Sequence, residues 1–379
     1  MGACRGGYGS PSYLVTLIIT TSPTPSAPSA DLISDILNSF KAHCLALLSC
    51  RIIVVFDTYD RIGECMRLKK GQITAEGARD VELYKINVQR LILEQWYPEV
   101  DNASNNASDI NLNHASRVFV RSQGVAEYGS PHLAENYVSF STMQTDDGRV
   151  TFIEPAGRLG FGLAVRSALR MTTTPYVWVQ QHDWPLVYDI PLRSLVDVMQ
   201  ASECESECES EAEAQAQTQV NGSVPVKYVC LPAIRMLSYA TSAHVVPFPA
   251  LRALTAQLKR DFYSPSQPDV AIPLTPLFFW HDKPHIASTA HYLARVFPSR
   301  LAIARGDFIE DSIGQRARTQ MKEGNWAKWA CWLYCPDDGK TVCLQHRHGR
   351  RWKGVEAELE QKALFAEIRS KQNSPLTAS

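Results

Sequence analysis

The strongest constraint on the fold is a short apolar run that ends abruptly in polar residues. Tyr176 to Val179 is aromatic and β-branched throughout, and Gln180 to Asp183 follow it directly. A continuous apolar run of this length is typical of a strand that is buried on both faces of a parallel sheet. Polar residues at its carboxyl end lie where open α/β sheets bind their ligands. The sequence therefore predicts a central strand that places Asp183 in a cleft.

The segments on either side of this strand predict an α/β protein whose mostly parallel sheet is flanked by helices. Predicted strands occupy residues 13–21, 51–56, 116–121, 150–154 and 226–236, and predicted helices 32–48, 79–97, 157–171, 190–200 and 286–297. The first strand, helix and strand form a right-handed crossover unit. That unit brings Thr20 and Thr21 beside Asp57 at the carboxyl edge of the sheet.

A C-terminal β-hairpin is predicted over residues 326–346, where two aromatic or β-branched runs flank Pro-Asp-Asp-Gly. The same segment contains Cys331, Cys335, Cys343 and His346, whose spacing approaches that of zinc sites. However, cysteines that alternate with aromatic residues are also common in a buried strand. Both interpretations of these cysteines stay open.

Composition limits the partners and the compartment. The 38 basic and 39 acidic residues nearly cancel, and no extended basic stripe is present, so nucleic acid is not expected as a partner. The apolar run at residues 13–19 is too short to span a bilayer. Ten cysteines are scattered without a regular framework, which indicates reduced thiols. We expect a cytoplasmic protein without a transmembrane segment.

One domain is predicted over residues 13–365, between a disordered N-terminus at 1–12 and a tail at 366–379. An acidic segment at 201–223 repeats Ser, Glu, Cys, Ala and Gln with almost no apolar bulk, which predicts a disordered insertion. Cys204 and Cys208 within it are an alternative soft-metal site. Low complexity explains the same residues without a metal.

The candidate site residues follow successive predicted elements. They are Thr20, Thr21, Asp57, Arg158, Arg166, Asp183, Glu310 and Asp311. Neither a Rossmann nor a Walker glycine motif is present, which argues against dehydrogenases and ordinary kinases. This order of segments, from Tyr13 to Trp352, resembles the GT-A fold of the family-two-like glycosyltransferases, which use nucleotide-diphosphate sugars.

The resemblance implies a role for each candidate. Thr20, Thr21 and Asp57 would hold the nucleoside of the donor, with Arg158 and Arg166 at its diphosphate. Glu310 and Asp311 would correspond to the Glu-Asp catalytic motif, with Asp311 as the base of an inverting transfer. A purely structural role is the alternative for this pair, because acidic residues are also favoured in the first turn of a helix.

The sequence departs from the family at the Asp-x-Asp metal motif, which here reads Gln181-His182-Asp183. Asp183 and His346 would hold Mn2+ or Mg2+ if donor phosphates complete the coordination shell. Alternatively, arginines neutralise the diphosphate without a metal. The missing carboxylate also motivates a second hypothesis, a non-catalytic nucleotide-sugar or carbohydrate-binding relative on the same fold.

The acceptor is not specified by any motif, and a glycan, a lipid or a protein all fit. Trp184, Trp280 and Asp282 are the candidates for binding it. An aromatic face stacks on a sugar ring, and a carboxylate accepts hydrogen bonds from its hydroxyls. The same residues also fit core and turn positions.

Overall fold

A computed structural model describes residues 11–98, 118–133, 136–209, 224–360 and 363–364. The strands are β1 (Val15–Thr21), β2 (Arg51–Phe56), β3 (Arg61–Ile62), β4 (Gln72–Ile73), β5 (Phe119–Glu127), β6 (Tyr137–Thr145), β7 (Val150–Pro155), β8 (Tyr176–Gln181), β9 (Tyr228–Cys230), β10 (Arg260–Ser264), β11 (Gln267–Pro276), β12 (His285–Ser288) and β13 (Cys331–Tyr334). The α-helices are α1 (Pro11–Leu14), α2 (Asp31–His43), α3 (Ala75–Trp96), α4 (Phe161–Met171), α5 (Leu192–Glu209), α6 (Pro249–Leu258), α7 (Thr289–His291) and α8 (Gln315–Lys322). Shorter 3-10 turns lie at Leu45–Ser49, Leu68–Lys70, Ile234–Met236, Tyr239–Thr241, Trp326–Lys328 and Gly349–Arg351, and π-helical turns at Tyr292–Val296 and Glu310–Gly314.

Within the described residues the chain is a mixed α/β fold built on an 11-stranded sheet. Its strand order is β10-β11-β13-β9-β12-β8-β1-β2-β7-β6-β5. The strands β8, β1, β2 and β7 are mutually parallel, while β12 runs antiparallel between β8 and β9. The parallel block of the sheet thus contains every strand on which the predicted cleft depends.

The register of the central strands places their carboxyl ends together. Thr20 of β1 is level with Val55 of β2 on one side and with Gln181 of β8 on the other. All seven residues of β1 are buried, as expected for a strand covered on both faces. The predicted crossover unit is therefore confirmed. The residues that follow these strands meet at one edge of the sheet.

The helices that flank the sheet bury one apolar stripe each. In α2, Ile33, Ile36 and Phe40 recur at helical spacing and belong to the main core. α4 is different, because almost its whole length is buried. A helix that is apolar on all sides is enclosed by the core. The core packing of α4 therefore fixes the position of the loop at residues 158–160, which precedes it.

Two expectations about the C-terminal half are wrong. Residues 286–297 do not form one helix, because His285–Ser288 is strand β12 and only the residues after it are helical. The hairpin over 326–346 is not formed either. β13 is already flanked by β9 and β11, which leaves no free edge for a returning strand.

Beyond β13 the chain turns and crosses toward the central strands. Asp337 and Asp338 take left-handed conformations, with φ of 50° and 54°. The backbone N–H groups of Cys343 and Leu344 then donate to the carbonyl of Pro232. This route carries residues 345–352 to the end of β8.

The predicted boundaries fall partly outside the described residues. α5 continues to Glu209, so residues 201–209 of the acidic segment extend that helix, and residues 210–223 lie outside the described ranges. Residues 1–10 and the tail 366–379 also lie outside them, while Pro11 and Ser12 begin α1. In the described part of the chain no helix is both long and apolar enough to span a membrane.

Candidate active site

A cavity of about 990 Å³ opens at the carboxyl ends of β1, β2 and β8. Its walls come from segments far apart in the sequence, at residues 20–25, 57–59, 66–73, 158–164, 181–184, 282–283, 306–310 and 346–351. A cleft at this edge of a parallel sheet is where ligands of open α/β proteins bind. We refer to it as the central cleft.

Most of the residues predicted from the sequence line this cleft. They are Thr20, Thr21, Asp57, Arg158, Asp183, Trp184, Asp282, Glu310 and His346. Three predicted residues do not line it, namely Arg166, Trp280 and Asp311.

Each of the three lies outside for a simple reason. Arg166 is on the enclosed helix α4, and its Nη1 donates to the carbonyl of Ser299 at 3.5 Å. Trp280 is fully buried among aromatic residues, with its ring 4.2 Å from that of Tyr228. Asp311 is exposed at the start of a helical segment, and its neighbour Glu310 lines the cleft instead.

Asp183 is held by the segment that follows the expected hairpin. Its Oδ2 accepts hydrogen bonds from His346 Nε2 at 3.1 Å and from the backbone N–H of Gly349 at 2.9 Å. Its backbone carbonyl accepts from the N–H of Arg347 at 2.8 Å. Burial alone raises the pKa of Asp183, but these hydrogen bonds and the nearby His182 and His346 lower it to about 2. The carboxylate is therefore ionised.

The second oxygen of Asp183 differs from the first. Oδ1 makes no hydrogen bond within the described residues, whereas Oδ2 makes two. An ionised carboxylate can accept up to four hydrogen bonds or bind a cation. Oδ1 is thus available to a ligand of the central cleft.

His346 is fixed on two sides. Its ring stacks on Trp184 at 4.3 Å between centroids and an interplanar angle of 8°, and its centroid is 4.1 Å from that of His348. Because a carboxylate only accepts, Nε2 carries the proton in the bond to Asp183. In the neutral ring Nδ1 is then an acceptor or metal ligand.

His182 sits behind Asp183 with its tautomer set by the end of β1. The N–H of Ser22 donates to His182 Nδ1 at 3.2 Å, so Nδ1 is an acceptor. The Thr21 hydroxyl lies 2.9 Å from Nδ1 and 2.5 Å from the Tyr84 hydroxyl. Thr21 therefore donates to His182, and Tyr84 donates to Thr21. Burial lowers the pKa of His182, which keeps the ring neutral. Thr21 is therefore a support for the site.

Asp57 ties two loops together. Its Oδ1 accepts from the N–H groups of Thr58 and Leu159, at 3.0 and 2.6 Å, and its Oδ2 accepts from Gly160 at 3.0 Å. Burial raises the pKa of Asp57, and these three donors oppose that rise. Arg158, which precedes Leu159, forms an ion pair with Asp60 at 3.8 Å.

A second acidic group in the cleft consists of Asp282 and Glu310. Both carboxylate oxygens of Asp282 accept from the backbone N–H of Glu310, at 3.2 and 3.3 Å. In return, Glu310 Oε2 lies 3.3 Å from the backbone N–H of Asp282 and 3.4 Å from His281 Nδ1. Burial raises the pKa of Asp282 well above its ordinary value. Burial also raises that of Glu310, but His281 and Lys283 outweigh it and lower the pKa to about 2.

Gln181 also lines the central cleft, and the NH2 group of its side chain is anchored. Its Nε2 donates to the carbonyl of Asp282 at 2.8 Å. The residue that replaces the first carboxylate of the metal motif thus joins β8 to the loop before β12.

Cations with no carboxylate partner among the described residues rim the cleft. They are Arg67, Lys69, Lys70, Arg350 and Arg351, and all five are exposed. The first three were not predicted from the sequence, although Arg67-Leu68-Lys69-Lys70 is recognisable as a basic run. Its position over the cleft depends on β3 and β4, which are too short to detect from periodicity.

The donor set of the cleft suits a cation only in part. No group of three or more His, Cys, Asp or Glu side chains with metal-site geometry occurs within the described residues. Cys331, Cys335 and Cys343 are buried free thiols, and they do not form such a group with His346 within the described residues. The side chains of Cys204 and Cys208 lie outside the description. With Nε2 bound to Asp183, the Nδ1 lone pair of His346 points away from that carboxylate, so the two side chains do not share one ion in this arrangement. Asp183 Oδ1 therefore fits a divalent ion only if a ligand supplies the other coordinating atoms.

Gly349→Ala is expected to disorganise the cleft. A Cβ at this position would lie 2.5 Å from His182 Nε2 and 3.2 Å from Asp183 Cβ, so the loop must move. We expect a loss of about 1 to 3 kcal/mol in the free energy of unfolding, together with loss of the hydrogen bond to Asp183. Chemical denaturation checks the first effect. Unchanged stability would show that the loop does not pack on His182 as described.

Stability is expected to fall as the pH drops from about 6.5 toward 4. Burial lowers the pKa of His281, His285 and His291 to about 4 each, from the ordinary value of 6.5. In this range the unfolded chain binds more protons than the folded one, so stability rises with pH and is lost on acidification. Asp57 and Asp282 act in the opposite direction because burial raises the pKa of each, but the pKa of His182 is lowered as well, which leaves two groups against four.

Urea denaturation at several pH values measures this slope. His291→Gln is expected to flatten it, because it removes one of these histidines. A midpoint that does not change between these pH values would contradict the burial of these rings.

Comparisons with known proteins give little that is specific. No protein-family model matches the sequence, and no curated protein matches it. Among solved structures, the chain is similar to a mannosyltransferase from Pyrobaculum calidifontis in complex with GDP-mannose and Mn2+, at 13% sequence identity and a TM-score of 0.34. The similarity covers 87% of this chain, which spans 60% of the length of that one.

Proposed function

We propose that this protein is a glycosyltransferase with a GT-A-like sheet, which moves a sugar from a nucleotide-diphosphate donor to an acceptor. The observation that carries the proposal is the position of Asp183. It is ionised, it has one oxygen without an internal partner, and it stands where three parallel strands end, in a cleft that Arg350 and Arg351 also line. Such a site suits a diphosphate, alone or with a divalent ion.

The donor would extend from Asp183 toward the end of β2. The cleft wall there contains Pro23, Pro25 and Tyr59, which offer apolar surface to a nucleobase. Asp57 supports this wall through its three backbone donors. We assign Asp57, Thr20 and Thr21 to shaping the nucleoside site.

The diphosphate would lie near Arg350 and Arg351, which follow the residue that binds Asp183. Asp183 Oδ1 would hold Mn2+ or Mg2+ together with donor phosphate oxygens if an ion enters with the donor, while His346 orients the carboxylate. Such an ion would neutralise the charge that develops on the leaving diphosphate. The arginines supply the same charge in the absence of a metal.

Glu310 is the better candidate for the base, because it lines the cleft and Asp311 does not. In the transfer, an acceptor oxygen bonds to the anomeric carbon, the bond from that carbon to the diphosphate breaks, and the nucleoside diphosphate leaves with the electron pair. Glu310 takes the acceptor proton. If attack is opposite to the leaving group, the anomeric configuration inverts. Trp184 and Asp282 would border the acceptor.

One observation favours a binding protein without turnover. Gln181 stands where the family has the first metal-binding carboxylate, so only Asp183 remains as an anionic ligand at that position. A relative that has lost catalysis would still bind the donor in the central cleft. The two functions differ in turnover and not in affinity.

A thermal-shift panel of uridine and guanosine diphosphate sugars, with and without Mn2+, tests the proposal. A donor that binds the folded protein raises its melting temperature. Stabilisation followed by release of nucleoside diphosphate supports the transferase, and stabilisation without release in any acceptor mixture supports the binding protein. No stabilisation by any donor would reject both.

A further inference from the structure

The turn between β3 and β4 holds its shape through its own hydrogen bonds. Arg67 and Gln72 exchange backbone hydrogen bonds of 2.8 and 3.2 Å, and Gly71 takes the left-handed conformation that closes the turn, with φ of 64°. The Gln72 side chain donates to the carbonyl of Cys65 and accepts from Arg61 Nε, both at 2.9 Å. The turn is therefore organised before any ligand arrives.

This preformed turn presents positive charge to the central cleft. Arg67, Lys69 and Lys70 all line the cavity, and none has a carboxylate partner within the described residues. By contrast, Arg158, which also lines the cavity, shares the carboxylate of Asp60 with Arg305. Three unneutralised cations on one turn create a local positive potential in a chain whose net charge is only −1.

A second, separate group of cations serves the diphosphate. Arg350 and Arg351 follow Gly349, whose N–H binds Asp183. The Arg67–Gln72 turn instead packs through Gly71 against Asp60 and Arg158. The two groups thus approach the cleft from different walls.

One nucleotide-diphosphate sugar does not account for both groups. Its diphosphate carries about two negative charges, which Arg350, Arg351 and an optional metal ion neutralise. The cavity of about 990 Å³ is also at the upper end of the volumes found for single small ligands. Both observations leave room for a second anionic substrate.

We propose that Arg67, Lys69 and Lys70 form a subsite for a phosphomonoester on the acceptor. This inference rests on the proposed function, and it specifies the acceptor class. A phosphate dianion matches several convergent cations better than a singly charged carboxylate does, and arginine binds its oxygens in pairs. The phosphate is held while a hydroxyl of the same acceptor attacks the donor.

Calorimetry with glucose 6-phosphate as probe, and glucose as its neutral counterpart, tests this subsite. The titration uses the full-length protein saturated with UDP or GDP, whichever binds. A parallel arm uses phosphatidylcholine vesicles with and without phosphatidic acid, which distinguishes a lipid phosphate from a sugar phosphate. The variants are Lys69→Gln/Lys70→Gln and, as a charge-matched control away from the cleft, Lys41→Gln/Lys328→Gln.

We expect one phosphate probe to bind the nucleotide-saturated protein and its neutral counterpart not to bind. The Lys69→Gln/Lys70→Gln variant should bind that probe roughly tenfold more weakly, with nucleotide affinity unchanged, and the control should behave as wild type. Failure of both phosphate probes would overturn the inference. So would displacement of the nucleotide by the probe, or equal weakening of nucleotide and probe in the variant.

The two proposals fail separately. If no nucleotide binds, the same titration is run on the free protein. Lysine-dependent binding of the phosphate probe there would leave the anion subsite standing while the proposed transferase falls.

Discussion

Asp183→Asn is expected to reduce sugar transfer by about two orders of magnitude or more, in a protein that still folds. The substitution removes the negative charge at the meeting point of β1, β2 and β8 while keeping the shape of the side chain. The charge is needed because Oδ1 faces no internal partner and the pKa of about 2 keeps the group ionised. An amide does not replace it as a ligand for a metal-bound diphosphate.

Turnover of the donor identified by the panel measures the effect, with the melting temperature as the test of folding. Asp189→Asn is the matched control, because Asp189 is an exposed carboxylate outside the cleft that pairs with His43 at 2.8 Å. Its activity should equal wild type. Normal transfer by a folded Asp183→Asn protein would remove Asp183 from the site.

Glu310→Gln and Asp311→Asn are expected to separate two neighbouring carboxylates. Glu310 lines the cleft and contacts Asp282 and His281, whereas Asp311 is exposed. Loss of the base typically slows such a reaction by about 10² to 10⁴. We therefore expect Glu310→Gln to lose transfer with little change in donor affinity, and Asp311→Asn to remain close to wild type.

Single-turnover rates at saturating donor, together with donor affinity, distinguish loss of chemistry from loss of binding. The pH profile adds a second readout. Because the pKa of Glu310 is about 2, its deprotonation produces no acid limb above pH 4. Full loss of activity in Asp311→Asn with an active Glu310→Gln would reverse the assignment.

The sequence predicted the centre of the fold because the signals there are local. The continuous apolar runs of β1, β2 and β8 indicate buried parallel strands, and the polar residue after each run marks the carboxyl edge. Thr20, Asp57 and Asp183 therefore follow from short segments and a handedness rule. Their meeting in one cleft confirms that part of the prediction.

The C-terminal part of the sheet and the remaining site residues depend on tertiary contacts that no local sequence pattern encodes. Residues 331–346 have the composition of a hairpin, but β9 and β11 occupy both edges of β13. Arg166 has the charge expected of a diphosphate ligand, but α4 is enclosed on all sides. Glu310 and Asp311 are adjacent, and only the direction of the helical turn decides which one enters the cleft.

The most direct test of the central claim is equilibrium binding of the donor to the wild-type protein. Isothermal titration with UDP- and GDP-sugars in the presence of Mn2+ should give saturable binding of one donor at a stoichiometry of about one, as a single cleft requires. The same titration of Asp183→Asn should show clearly weaker binding. If no donor binds the wild-type protein, or if both proteins bind it equally, the central cleft is not a nucleotide-sugar site organised by Asp183.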